Sequence, residues 1–399
     1  MMKVLDFDIE GFRSLRKISW SLAELNVIIG PNGTGKSNLL RMLELISISA
    51  QGGLGKHIQK AGGMEPLVWD GISDSIRFYI KSSKLLPFWL ADKNWLTYGV
   101  ELARLGKSGT YSIGKEQLLY FHRKKPKEKA EPFAILDRKK MTGRIFDENR
   151  KELIASEESL LEDETLLSLT AGPFTINQHI PVFRKQLAEW RVYHDVDVSL
   201  AAPLRQPAIA RSEKRVDADG QNLIPVLHTL YTGDRDFKNE IDSAMRAAFG
   251  NDYEELVFPP AADQRIQLRI RWRSLKREQS AADLSDGTLR FLILLTILAT
   301  PSPPPLIAID EPETGLHPSM LPIVAEYAVD AAERTQVILT THSPQFLDSF
   351  GDTKPTTTVA KWIDGETVLK TVDGKELAYW LSEYSLGALY RTGELEDMV

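Results

Sequence analysis

Lys36 and Ser37 close the run Gly30-Pro31-Asn32-Gly33-Thr34-Gly35-Lys36-Ser37, whose glycine, lysine and hydroxyl spacing is that of a phosphate-binding P-loop. Glycines let consecutive N–H groups curl into one concavity, and a following helix adds orphan donors and partial positive charge. Lys36 can reach β- and γ-phosphates, and the Ser37 hydroxyl can ligate Mg²⁺. Asn32, Gly33, Gly35 and Asn38 complete the expected nucleotide contacts. A second group of chemistry-bearing residues follows apolar runs late in the chain. Leu306 to Ile309 leads into Asp310-Glu311, and Val337 to Leu339 leads into Thr340-Thr341-His342. Asp310 is suited to hold Mg²⁺ opposite Ser37, and Glu311 to polarise an attacking water as general base. His342 can hydrogen-bond the γ-phosphate or that water. A third polar turn, Leu284-Ser285-Asp286-Gly287-Thr288, precedes an apolar helix, so that Ser285 and Gly287 offer a hydroxyl and N–H groups to an anion. Because the sheet already carries one phosphate site, this turn is expected to serve a second nucleotide.

These residues need a buried parallel sheet, whose strands deliver their C-terminal residues to one ligand edge. Asn26 to Ile29 reads as the strand before the P-loop, with a helix from Lys36 through Leu43. Residues 3–9 and 17–22 alternate as a hairpin. Glycines at 52, 53, 55, 62 and 63 suggest a loose loop. Four β segments (76–80, 96–100, 111–113, 118–121) suggest an antiparallel meander, with the basic run Arg123 to Lys129 at a hairpin tip. Residues 146–192 read as acidic and mainly helical, with no sustained heptad. Val192 to Val198 reads as a strand with polar exposed positions in preference to a metal site at His194. Asp219-Gly220 and Asn222 open another helix, carried by Leu223, Val226, Leu227 and Leu230, and Ile266 to Trp272 reads as a strand with Arg265, Arg269, Arg271 and Arg273 projecting to phosphates or to solvent.

The 399 residues carry a net charge of −6, which argues against a generally basic nucleic-acid coat. The absence of cysteine removes disulfides, thiolate metal sites and cysteine nucleophiles. No leader pattern or membrane-length apolar run is present, so a soluble, cytoplasmic protein is expected, with no membrane partner.

In this order, the motifs resemble the ABC-type ATPase head, most closely the AAA_21/AAA_15 group near the RecF, SMC/Rad50 and OLD-type ATPases. Gly30 to Ser37 resembles its Walker A, Leu284 to Thr288 its signature, Asp310-Glu311 its Walker B with catalytic glutamate, Thr314 to Pro318 its D-loop and His342 its switch histidine. Phe12-Arg13-Ser14 is similar to the group's entry motif, which implies a nucleotide contact for Arg13, and Tyr384 to Tyr390 is similar to its C-terminal segment. The signature departs from the transporter pattern at Asp286, whose charge needs compensation, with Arg290 the expected source; Gln206 and Gln221 are the Q-loop candidates. The resemblance implies an α/β fold: an ABC-type P-loop head of mixed β-sheet and flanking helices, with an inserted antiparallel-β segment and a helical subdomain. The expected boundaries are 1–50 and 281–399 for the head, 51–145 for the β insertion and 146–280 for the helical or mixed part. It further implies ATP and Mg²⁺ as cofactors, a homodimer or larger assembly with shared ATP sites, and hydrolysis that drives motion. A defence role beside a separate nuclease is the leading expectation; a DNA-binding repair ATPase and, less so, a transporter subunit are the alternatives.

Overall fold

The computed structural model describes residues 2–83, 95–106, 109–122, 131–155, 160–170, 176–372, 380 and 384–397. The basic run Arg123 to Lys129 lies outside the described residues. The first third runs β1 (Val4–Phe12), β2 (Leu15–Ser21), β3 (Leu25–Ile29), α1 (Lys36–Gln51), α2 (Leu54–Lys60), β4 (Ser75–Ser82), β5 (Trp95–Arg104), β6 (Tyr111–His122) and β7 (Glu131–Lys139). There follow β8 (Thr142–Asp147), β9 (Glu152–Ala155), α3 (Leu166–Leu169), α4 (His179–Ala188), β10 (Arg191–Tyr193), β11 (Ala208–Ile209), α5 (Leu223–Gly233) and α6 (Arg235–Phe249). Next come β12 (Tyr253–Val257), β13 (Pro260–Ala261), β14 (Arg265–Ile266), β15 (Arg269–Trp272), β16 (Gln279–Ser280) and α7 (Asp286–Ala299). The last stretch holds β17 (Leu306–Asp310), α8 (Leu321–Arg334), β18 (Gln336–Thr341), α9 (Pro344–Asp348), β19 (Thr356–Ile363), β20 (Glu366–Thr371) and α10 (Leu386–Thr392).

The chain divides into two compact units. One comprises residues 1–23, 30–190 and 358–371, the other 24–29, 191–357 and 372–399. In the first, eight antiparallel strands take the order β2-β1-β4-β5-β6-β7-β8-β9. The alternation read in residues 3–9 is the reason: Phe7 and Ile9 are buried while Asp8 and Glu10 face water. The segments after residue 75 thus extend the sheet begun by the β1–β2 hairpin. The same unit holds α1 to α4 and the antiparallel β19–β20 hairpin.

Three local expectations in this unit are corrected. Residues 52–63 are not a loose loop but contain α2; Gly52 ends α1 at φ 78°, and Gly62 and Gly63 take positive φ just beyond α2, so these glycines punctuate helices. The segments 111–113 and 118–121 are one strand. Lys115-Glu116-Gln117 stays extended because the buried Glu116 carboxylate accepts the Leu166 and Leu167 N–H groups at 2.6 and 2.9 Å and the Tyr98 hydroxyl at 2.9 Å. Residues 146–192 are not mainly helical: among the described residues only α3 and α4 are helices there, and β9 continues the sheet.

The second unit is built on four parallel strands in the order β10-β17-β18-β3. β3 and β18 are buried at every residue and β17 at all but its last, as continuous apolar runs covered on both faces should be. α7, read as an apolar run, is buried over nearly its whole surface and packs against α5, α6 and α8. The expected arginine strand over 265–273 is also corrected. Its residues fall in two different three-stranded sheets, and Arg271 is spent on Glu255 and on Glu278 at 2.7 Å. No helix among the described residues is long and apolar enough to cross a membrane.

Candidate nucleotide site

In the first unit, the P-loop is shaped by close approaches that only glycine permits. A Cβ on Gly30 would lie 2.4 Å from the Ala360 carbonyl oxygen, and one on Gly35 would lie 2.0 Å from Thr367 Oγ1 and 2.6 Å from Ser14 Oγ. Gly35 also takes φ 96°. Gly33 has open space beside it, and Asn32 and Gly33 form the exposed rim. Lys36 is buried, its ammonium donating to the carbonyls of Gly30 at 2.6 Å and Pro31 at 3.1 Å. The cation therefore already sits in the ring of the loop, on groups that phosphate oxygens can replace. α1 starts with no side-chain cap and no acidic residue in its first turn, so the positive end of the helix is not offset by a local carboxylate.

Arg13 and Asn38 stand beside this loop. The Asn38 amide donates to Ser14 Oγ at 2.9 Å, which also accepts from Thr367 Oγ1 at 2.7 Å; this polar chain fixes the hairpin turn against α1. Arg13 occupies the left-handed region at φ 48°. Its Nε is buried without a hydrogen-bond partner among the described residues, and burial, followed by the Arg41 charge, lowers its guanidinium pKa. A buried, unsatisfied cationic donor next to a phosphate loop fits an anionic ligand.

The second unit brings several sequence-predicted residues to one strand edge. Register pairs Tyr193 with Ile309, Asp310 with Thr340, and Thr341 with Ile29, so His194, Asp310-Glu311 and His342 emerge at the same carboxyl ends. β3 ends there too, at the residue before the P-loop. Thr340 Oγ1 donates to Asp310 Oδ1, and His194 Nδ1 lies 3.5 Å from Asp310 Oδ2. Glu311 takes φ 45°, a strained conformation for a side-chain-bearing residue, held by its N–H on Thr340 O and Oγ1 at 3.2 and 3.1 Å. Its Oε1 lies 2.9 Å from His342 Nδ1, both side chains part-exposed. Behind this pair, Glu313 accepts from Thr341 Oγ1 at 2.5 Å, and burial raises its pKa.

Also in this unit, Ser285 caps α7, accepting from the Thr288 N–H at 3.1 Å. A Cβ on Gly287 would lie 2.7 Å from the Gly315 carbonyl oxygen, so the signature-like turn presses on the D-loop-like turn. Asp286 is compensated, but not by Arg290, which pairs with Asp195 at 2.9 Å. Its partner is Arg205 at 2.5 Å. Gln221 spends its amide on Asp197 and Asp219 carbonyls and on the Leu204 N–H, while Gln206 is exposed. Arg205 is a residue that sequence reasoning missed; His194 is one that it read as an exposed position in a strand over 192–198, whereas β10 stops at Tyr193. His194 follows the apolar strand Val192-Tyr193 just as Asp310 and His342 end theirs; Arg205 left no local signal.

A parallel sheet with a phosphate loop after one strand, an acidic pair after another and a histidine after a third defines an ABC-type P-loop ATPase head. The chain belongs to the AAA_21 family, described as "AAA domain, putative AbiEii toxin, Type IV TA system", whose model matches residues 25–348. Among solved structures it is similar to an SMC head bound to the C-winged helix domain of ScpA (12% identity, TM-score 0.54, covering 94% of this chain and 99% of that one). It is also similar to the Pyrococcus furiosus SMC head with an extended coiled coil bound to the C-terminal domain of ScpA (13% identity, TM-score 0.54, 96% and 99% covered). At that identity the likeness is one of fold. A comparison with curated protein sequences finds no match.

Proposed function

We propose that this protein binds and hydrolyses ATP at sites shared between two copies of the chain, and that their closure and reopening act on a separate effector, a nuclease by preference, in defence against phage. The observation that carries the reading is the Glu311–His342 hydrogen bond beside Asp310, on the strand edge where the chain enters the P-loop. Family membership supports it, and the family's toxin description supports a defence role over repair.

The residues fit the expected ligands. Ser37 and Asp310 offer a hydroxyl and a carboxylate, hard oxygens of the kind Mg²⁺ takes alongside phosphate and water. Bound there, Mg²⁺ would neutralise charge on the β- and γ-phosphates. Lys36 exchanges the Gly30 and Pro31 carbonyls for phosphate oxygens. Glu311 accepts a proton from the attacking water, and the ring of His342 holds its carboxylate in place. With Nδ1 donating to Glu311, Nε2 of a neutral ring can only accept; a direct bond to a phosphate oxygen requires the imidazolium. In the paired state Ser285 and Gly287 of one copy meet the nucleotide held by the other.

A DNA-binding repair ATPase is the second reading, favoured by the SMC-head fold. What co-purifies from the host, nuclease or nucleic acid, separates the two. For the shared site, Glu311→Gln is expected to slow hydrolysis about a hundredfold or more and to accumulate an ATP-bound dimer or larger species in light scattering. A monomer with and without ATP–Mg²⁺ would overturn the shared-site mechanism.

A further inference from the structure

Arg205 lies in the segment between β10 and β11, its side chain only 1% exposed. Its Nε–H donates to the Val198 carbonyl at 2.8 Å. Nη1 lies 3.2, 3.3 and 2.7 Å from the carbonyl oxygens of Ala281, Ala282 and Leu284, and Nη2 donates to Asp286 Oδ1 at 2.5 Å. One buried cation thus gathers the carbonyls of the turn that precedes α7 and the carboxylate of the helix's first residue. The planar fork of arginine can do this; an ammonium cannot reach so many acceptors at fixed angles.

The charge matters as much as the geometry. Asp286 is 67% exposed at a helix N-terminus. An unpaired carboxylate there repels any incoming phosphate. Arg290, one helical turn on, is engaged elsewhere. The turn has little room to adjust, since Gly287 abuts Gly315 and Ser285 is tied to Thr288.

We propose that Arg205 is the positioning residue of the signature turn: it cancels the charge of Asp286 and holds Ser285 where a second copy's nucleotide can meet it. This rests on the shared-site reading above. The test uses the full chain in the Glu311→Gln background, with Arg205→Met, Asp286→Asn and the double variant. Two quantities are measured: the ATP-driven dimer constant by light scattering, and the monomer's affinity for a fluorescent ATP analogue at high dilution. Arg205→Met is expected to weaken dimerisation about tenfold or more, because like charges across an interface repel, while monomer affinity stays unchanged. That loss should shrink at high salt, which screens the repulsion, and Asp286→Asn should restore most of it. Dimerisation unaffected by Arg205→Met, or a loss that neither salt nor Asp286→Asn relieves, would overturn the proposal. If Arg205→Met does not fold, Arg205→Lys keeps the charge without the fork and is expected to dimerise several-fold more weakly; parental dimerisation there would also overturn it. A background protein that stays monomeric with ATP would instead defeat the shared-site reading itself.

Discussion

Two glycine-bearing turns in this molecule each deliver the start of a helix, and they solve opposite problems. The P-loop carries its own cation, Lys36, and leaves the N-terminus of α1 without a side-chain cap. The signature-like turn carries an anion, Asp286, caps itself with Ser285, and takes its cation from Arg205, far back in the sequence. The first keeps a cation and an uncapped helix start at one place; the second is closed on itself and charge-balanced. A motif that reads as one local pattern can therefore depend on a residue that no local pattern points to.

The largest expected effect breaks the first turn. Lys36→Ala should weaken ATP binding about a hundredfold in calorimetric titration, the range expected for losing a buried, charge-assisted contact. Unchanged affinity would mean that the loop is not the phosphate site. Next come the glycines. Gly35→Ala meets Thr367 and Ser14 and holds a positive φ, so a loss of about 2–4 kcal/mol in denaturant unfolding is expected. Gly33→Ala faces open space and pays only for its φ of 85°, about 1 kcal/mol. Equal losses would show that close approach does not shape the loop. The smallest effect belongs to the second turn. Ser285→Ala should cost about 1 kcal/mol of stability by uncapping α7, and Ser285→Thr much less. A neutral Ser285→Ala would show that the Thr288 bond contributes nothing to the stability of α7.

The strands and polar ends of the site were legible because each is a local signal: an apolar run, then a residue type that has no place in a core. β3, β17 and β18 were read that way, and so was the capped start of α7. What was not legible depends on contacts distant in sequence. Lys115-Glu116-Gln117 looks like a turn until Glu116 is seen binding N–H groups some fifty residues later. The arginines over 265–273 alternate as one strand would, yet the chain changes sheets between Ile266 and Arg269. Arg290 is the nearer cation to Asp286 in sequence, but Arg205 meets it in space. His194 reads as an exposed strand position, because the strand pairing that puts it beside Asp310 is not written in its neighbours.

The wall of the P-loop carries a consequence for how the protein is made. Thr367 Oγ1 lies 2.8 Å from Thr34 O, across 333 residues, and 2.7 Å from Ser14 Oγ, across 353. A nascent chain that has released Lys36 but not yet Thr367 holds the whole phosphate motif, with Ser14 on one side of Gly35 and nothing on the other. The packed shape of the loop therefore waits until translation has passed residue 367, and an interrupted product would carry the glycine-lysine motif with one side of its wall missing.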